Sequence, residues 1–180
     1  MERWKTEASE KLLDTRWVKV RRDQVTLPGV LRIDVFYAIT IADAAAVVAI
    51  DEAGQIILKK EYRYCYDREL IEIPAVTFEV VETDSLAVAQ RELLEETGYA
   101  SEEWEYIGST VESSSKLTNH MHLYFANHCR RVSGQHLDPT ENLDVLVVPL
   151  EKAVEMVMRN EICCNSSAHG ILWAARKLGR

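Results

Sequence analysis

Residues 71–99, IEIPAVTFEVVETDSLAVAQRELLEETGY, read as a short apolar strand ending at Pro74, an irregular loop and an amphipathic helix. Asp84 or Ser85 stands where an N-cap belongs, because a short polar side chain there accepts an orphan N–H. Gly98 stands where the helix end wants a left-handed residue. Between these caps a 3.6-residue period puts Leu86, Ala89 and Leu93 on one face, with Ala87 and Leu94 at its edge. Glu92, Glu95 and Glu96 share the opposite arc. Like charges one turn apart cost roughly 0.2–0.5 kcal/mol per pair, and the last turn of a helix is the end of its dipole that favours cations. Three carboxylates there call for a cation. Mg²⁺ suits them best, as a hard ion that bridges carboxylates to substrate phosphates, with Mn²⁺ as its alternative. The competing explanation is a solvated acidic face with Arg91 as its partner.

Composition narrows the classes around that helix. A chain of 180 residues, 47% hydrophobic and 28% charged, supports a full core. A net charge of −8 argues against a nucleic-acid partner, which requires basic patches. Cys65, Cys129, Cys163 and Cys164 show no CxxC pairing, and a reducing cytoplasm is the simplest inference. His120, His122, His128, His136 and His169 form no HxxxH or HExxH pair, so no zinc site is supported. The N-terminal segment lacks a basic-then-apolar signal pattern, and the longest apolar run, 44–50, is too short to span a bilayer. The protein is therefore expected to be cytoplasmic, without a membrane partner.

Along the chain, 7–13 reads as a short helix. Strands are expected at 17–22, 24–27 and 31–39, the last with Leu31, Ile33, Val35 and Tyr37 on one half-buried face. The run 44–50 reads as a strand covered on both faces. Asp51-Glu52-Ala53-Gly54 is a turn and 55–63 the returning strand. Further strands fall at 104–111, 120–126 and 146–148, and helices at 151–159 and 167–178. Ser166 or Ser167 is the expected cap of the last helix, with Ile171, Leu172, Ala175 and Leu178 facing the core and Trp173 as packing. Strands interrupted by one central helix and closed by two terminal helices predict an α/β/α sandwich on a mixed β-sheet.

The segment 71–99 resembles the Nudix box, Gly-x5-Glu-x7-Arg-Glu-apolar-x-Glu-Glu-x-Gly-apolar. Arg91, Glu92, Leu93, Glu95, Glu96, Gly98 and Tyr99 match its second half without a gap, and Ile71-Glu72-Ile73-Pro74-Ala75 is similar to the entry of the ADP-ribose pyrophosphatase branch. The first half departs. Counted back from Arg91, the family glycine and first glutamate fall on Thr77 and Thr83. Aligned on Pro74-Ala75, they fall on Val76 and Glu82 with one extra residue before Arg91. The Ser-Pro-Gly turn of that branch is also missing, its proline position being Ser115.

The resemblance implies a Nudix domain over 41–180 and an N-terminal antiparallel β region over 1–40 that serves a homodimer. It implies metal ligands at the Ala75 carbonyl, Glu92, Glu95 and Glu96, with Arg91 orienting the glutamates and Glu141 taking the proton of an attacking water. Glu95 belongs with the catalytic candidates as well. Arg63 is a candidate phosphate or ribose contact by its fork of donors, or else a partner of Asp67 or Glu72. Glu72 would pair with Arg63 or with a substrate hydroxyl, and His120 would touch substrate at a loop edge. The implied activity is Mg²⁺-dependent cleavage of a nucleoside diphosphate derivative, ADP-ribose or a nucleotide sugar, to a nucleoside monophosphate and a sugar phosphate. The alternative is a Nudix-fold protein that binds a nucleotide or partner and turns over slowly or not at all.

Overall fold

The chain opens with a strand where local propensity predicts a helix. The computed structural model describes residues 2–29, 31–79 and 82–180. Its first sheet orders β1 (Lys5–Asp14), β2 (Lys19–Thr26) and β3 (Arg32–Thr40) as an antiparallel meander. The 7–13 helix is therefore corrected to strand. Its residues are exposed throughout and owe their conformation to ladder pairing with β2, which outweighs a weak helix preference. The strands expected at 17–22 and 24–27 are one continuous β2, whose ladder to β3 carries an irregularity between Asp23 and Val25. Of the face expected to be half-buried on β3, Ile33 is so, while Val35 and Tyr37 are 51% and 42% exposed, as is Leu31 just before the strand, at 62%. Val30 lies outside the described residues.

These strands form one compact unit, 1–43 with 111–120, and the remaining residues form a second. In the first unit the polar loop 113–119 returns to β3. The Ile39 N–H donates to the Lys116 carbonyl at 2.8 Å, and Thr118 N–H to the Ile39 carbonyl at 3.2 Å.

The second unit grows from β4 (Ala44–Asp51), whose first seven residues are all buried. The turn that ends it is tied by the Asp51 carboxylate, which accepts from the N–H groups of Ala53 and Gln55 at 2.9 and 2.8 Å. Next come β5 (Gln55–Arg63), a 3₁₀ turn (Tyr64–Tyr66), β6 (Arg68–Glu72) and β7 (Ala75–Thr77). Helix α1 (Ser85–Thr97) leads to β8 (Tyr99–Ala100), β9 (Glu103–Thr110), β10 (Met121–Arg131) and β11 (Leu143–Pro149). Helices α2 (Leu150–Met158) and α3 (Asn165–Lys177) close the chain. The main path of the sheet runs β11-β5-β4-β10-β8. The β4–β10 pair is parallel and its other ladders are antiparallel, which makes the sheet mixed.

Alternation along β4 decides the layers. Ala46, Val48 and Ile50 pack with Leu150, Ala153, Ile171 and Ala174 from α2 and α3. Ala45, Val47 and Ala49 pack with Val88, Ala89 and Leu93 from α1. This is the α/β/α sandwich on a mixed sheet. Gly170 fixes how closely α3 approaches, since a Cβ there would lie 2.5 Å from Val48 Cγ2. The residue before α3 is Cys164, not Ser166 or Ser167, and its side chain makes no capping bond. Both serines are buried instead, and Ser167 Oγ accepts the Ile73 N–H at 3.1 Å. Leu172 and Leu178 turn outward, at 40% and 38% exposure, while Trp173 packs on Phe125 with ring centroids 5.7 Å apart.

Candidate active site

Both ends of α1 behave as the sequence predicts. Asp84 accepts from the N–H groups of Leu86 and Ala87 at 3.0 and 3.1 Å, and Gly98 closes the helix at φ +76° with its N–H on the Leu94 carbonyl at 2.8 Å. That C-terminus is then stitched to the loop 132–141. Val132 and Ser133 donate their N–H groups to the Gly98 carbonyl at 2.9 and 3.2 Å. His136 N–H reaches the Glu95 carbonyl at 2.8 Å, and Gln135 Nε2 the Glu96 carbonyl at 2.9 Å. Carbonyls that a helix end leaves orphaned are thereby satisfied. The approach is close enough that a Cβ on Gly98 would sit 2.4 Å from the Ser133 oxygen.

This stitching delivers Glu141. A carboxylate oxygen from each of Glu92, Glu96 and Glu141 lies within 4.8 Å of the others. Glu141 is itself held by a local turn, its Oε2 accepting from Asp138 N–H at 2.8 Å. Glu92 and Glu96 are 6% and 2% exposed, so the glutamate arc of α1 is not a solvated face. Oε2 of Glu96 is buried and receives no hydrogen bond from the described residues. Burial and the neighbouring Glu96 charge push the Glu92 carboxyl up to about 8, against the pull of Lys59. Burial also raises Glu96, again opposed by Lys59. Raised carboxyl groups gathered at one point are a feature of functional sites. The donor set, all oxygen and all carboxylate, fits a hard divalent ion.

The other predicted residues divide. Glu95 does not join the trio. Its side chain is 45% exposed, and its carboxylate lies 3.4 Å from Arg91 Nε. Arg91 also grips Glu82, which with the Glu79 N–H holds the Glu82 carboxyl below its ordinary value. Arg91 thus ties the loop ahead of the helix, in which Val80 and Val81 lie outside the described residues, to its last turns. Arg63 pairs with Glu72, Nη2 to Oε2 at 2.6 Å and Nε to Oε2 at 2.7 Å, and lies 3.1 Å from Glu61 Oε2. The two proposed substrate contacts of β5 and β6 are therefore partners of each other. His120 belongs to the N-terminal unit, where its N–H donates to Asp43 Oδ1 at 2.8 Å and its ring nitrogen lies 3.9 Å from the same atom. The Ala75 carbonyl points into the site, but the group it meets is Lys59 Nζ, at 3.3 Å.

Two cavities, about 290 and about 370 Å³, share Glu92, Glu96 and Glu141 in their walls. The first also holds Arg63, Glu72 and Ala75, the second Arg91, Glu95 and His136. The trio thus lines both cavities.

Lys59 and Glu61 are the residues that sequence reasoning passes over. Lys59 follows the apolar run Ile56-Ile57-Leu58 and shares the strand face of Ile57, and a lysine on a buried strand face needs an anionic partner. That signal was available.

Comparison with known proteins follows the same lines. The NUDIX domain model matches residues 40–162, and the model for a nucleoside diphosphate sugar hydrolase N-terminal domain matches residues 4–29. The chain is 31% identical to a methanol dehydrogenase activator from Bacillus methanolicus, covering 88% of this chain and 85% of the relative. It is 30% identical to an ADP-ribose pyrophosphatase from Mycobacterium tuberculosis, covering 94% of this chain and 82% of the relative. A crystal structure of an ADP compounds hydrolase superposes with a TM-score of 0.83 over 99% of this chain and 96% of the other, at 16% identity.

Proposed function

Because the chain belongs to the Nudix pyrophosphohydrolases of the ADP-ribose pyrophosphatase type, we propose that it hydrolyses the diphosphate of a nucleoside diphosphate derivative. ADP-ribose or a related nucleotide sugar is the favoured substrate, and one water is consumed to release a nucleoside monophosphate and a sugar phosphate. The observation that carries this reading is the meeting of Glu92, Glu96 and Glu141 at the end of α1, with an oxygen of Glu96 left bare.

These three residues would hold Mg²⁺. What the ion supplies when bound is neutralisation of the diphosphate and a lowered pKa for an attacking water. Glu141, carried on a loop and not on the helix, would take the proton of the attacking water through a carboxylate oxygen not used to hold the ion. Glu95, more exposed and in the neighbouring cavity, is the second candidate for that proton. Arg91 positions Glu95 and the loop through Glu82. Arg63 can turn its fork of donors to a phosphate oxygen by exchanging Glu72 or Glu61 for substrate.

The N-terminal sheet is read as the dimerisation element, in keeping with its exposed Leu31, Val35 and Trp17. No helix among the described residues is long and apolar enough to cross a membrane, and the four cysteines are free, in keeping with a cytoplasmic enzyme.

The direct test is phosphate release, coupled to a phosphatase, across ADP-ribose, nucleotide sugars and dinucleoside polyphosphates, with and without Mg²⁺. Mg²⁺-dependent release from ADP-ribose or a nucleotide sugar is the expected result. Binding without release from any of them would replace this reading with that of a Nudix-fold binding or regulatory protein, which Val76 and Thr77 at the glycine positions favour.

A further inference from the structure

Among the largest fully buried side chains of the described residues, Lys59 alone carries a charge, at 1% exposure on β5. An ammonium taken out of water is costly unless its protons are matched. Lys59 Nζ donates to Glu96 Oε1 and to the Ala75 carbonyl at 3.3 Å, and its charge lies 3.3 Å from Glu61 Oε2. A main-chain carbonyl and two carboxylates converging on one point form the kind of ligand set a hard divalent ion takes. Here the point is held by nitrogen.

The two cations exclude one another. Lys59 Nζ already engages both the Ala75 oxygen and Glu96 Oε1, so an ion drawing on these two oxygens would compete with the ammonium for them. The second oxygen of Glu96 is in the opposite situation, buried without a hydrogen bond and beside Glu92 and Glu141. Glu96 therefore divides its two oxygens between a lysine and an open position. The cleft gathers five carboxylates, Glu61, Glu72, Glu92, Glu96 and Glu141, against Lys59 and Arg63, and Lys59 is the cation set among Ala75, Glu61 and Glu96.

We propose that Lys59 is a permanent internal cation holding the Ala75–Glu61–Glu96 position, so that the nucleotide-free protein takes one divalent ion, at Glu92, Glu96 and Glu141, and not two. This rests on the reading of that trio as the metal site. It makes Lys59 a positioning residue, which fixes Glu96 for the ion and supplies fixed charge where a mobile ion would otherwise bind.

The test is the stoichiometry of Mn²⁺ bound by the full chain without nucleotide, read by electron paramagnetic resonance and by calorimetry, in wild type and in Lys59→Met. One ion per wild-type chain and two per Lys59→Met chain is the expected pair of results. The variant should also melt lower than wild type in chelator and recover with Mn²⁺, because it leaves Glu96 without its ammonium partner. Two ions on wild type, or an unchanged single ion on a folded Lys59→Met, overturns the proposal while leaving the metal-dependent hydrolase intact. No ion on either protein overturns both. Should Lys59→Met fail to fold, the wild-type count alone decides.

Discussion

Asp23 in the N-terminal unit and Glu96 in the Nudix unit are both buried carboxylates, 4% and 2% exposed, and their surroundings treat them in opposite ways. Asp23 is fully answered. Ser9 Oγ donates to one oxygen at 2.6 Å and Arg21 Nε to the other at 2.9 Å, and these bonds hold its carboxyl below the usual range. Glu96 has a cation on one oxygen and nothing on the other, and its carboxyl is raised by burial. A carboxylate satisfied on both oxygens belongs to the architecture. One kept buried and half bare beside two more carboxylates is in keeping with the proposed cation site.

Substituting each one gives the sharpest separation. Glu96→Gln should lower metal-dependent turnover by about 10³-fold, the scale on which a fixed electrostatic group acts at a transition state. It should also abolish Mn²⁺ binding, and it should lower the melting temperature in chelator as well, because the buried Lys59 ammonium loses a carboxylate partner. Asp23→Asn should cost about 1–3 kcal/mol of stability with Mn²⁺ affinity unchanged. Equal loss of Mn²⁺ affinity in the two variants would erase the distinction.

The Nudix unit also ties fold to site at one backbone position, and a variant there should have a smaller effect. Gly98→Ala places a Cβ against the Ser133 oxygen at a positive φ, at a cost of about 1–3 kcal/mol. The shift displaces the loop carrying Glu141, so turnover should fall by about tenfold or more, as when a supporting contact of a metal site is lost. Unchanged turnover in a destabilised variant would show that the stitching is structural only.

The gentlest probe is pH in the absence of divalent ions. Glu92 sits at about 8 in the folded protein against an ordinary 4.5. The folded state therefore keeps a proton that the unfolded chain has lost, and stability falls as pH rises between those two values. Asp23, depressed below its ordinary 3.8, contributes above that value and loses its contribution as pH falls through its lower folded value. Melting temperatures in chelator should decline from about pH 5 to about pH 8, and added Mg²⁺ should remove the decline. A flat profile in chelator would mean that the trio holds no shared proton.

Much of this contrast was legible in residue order. Strand β4, the Asp51–Gly54 turn and the two caps of α1 carry local signals strong enough to survive folding. So does the sandwich itself, since alternation on β4 needs a helical layer on each face. The failures share a cause. β1 is a strand because β2 pairs with it, and Ser167 is buried because the Ile73 N–H needs it. No local pattern encodes either demand. At the site, the sequence placed Glu92, Glu95 and Glu96 on one arc but could not divide them. In the fold Glu92 and Glu96 are buried near Lys59 of β5 and Glu141 of the β10–β11 loop, while Glu95 stays with Arg91. Lys59 shows its need for an anion by its place on a buried strand face, but the two oxygens it donates to are 16 and 37 residues away in the chain.

The central claim is that α1 and the loop 132–141 assemble a cation site from Glu92, Glu96 and Glu141. Anomalous diffraction from crystals soaked in Mn²⁺ tests it most directly. The account predicts a peak bonded to the free oxygen of Glu96 and to Glu92 or Glu141, with Lys59 still on the other oxygen. Crystals showing no Mn²⁺ at these side chains, with Glu92 and Glu96 unmoved at the same Mn²⁺ concentration that supports turnover, would contradict it.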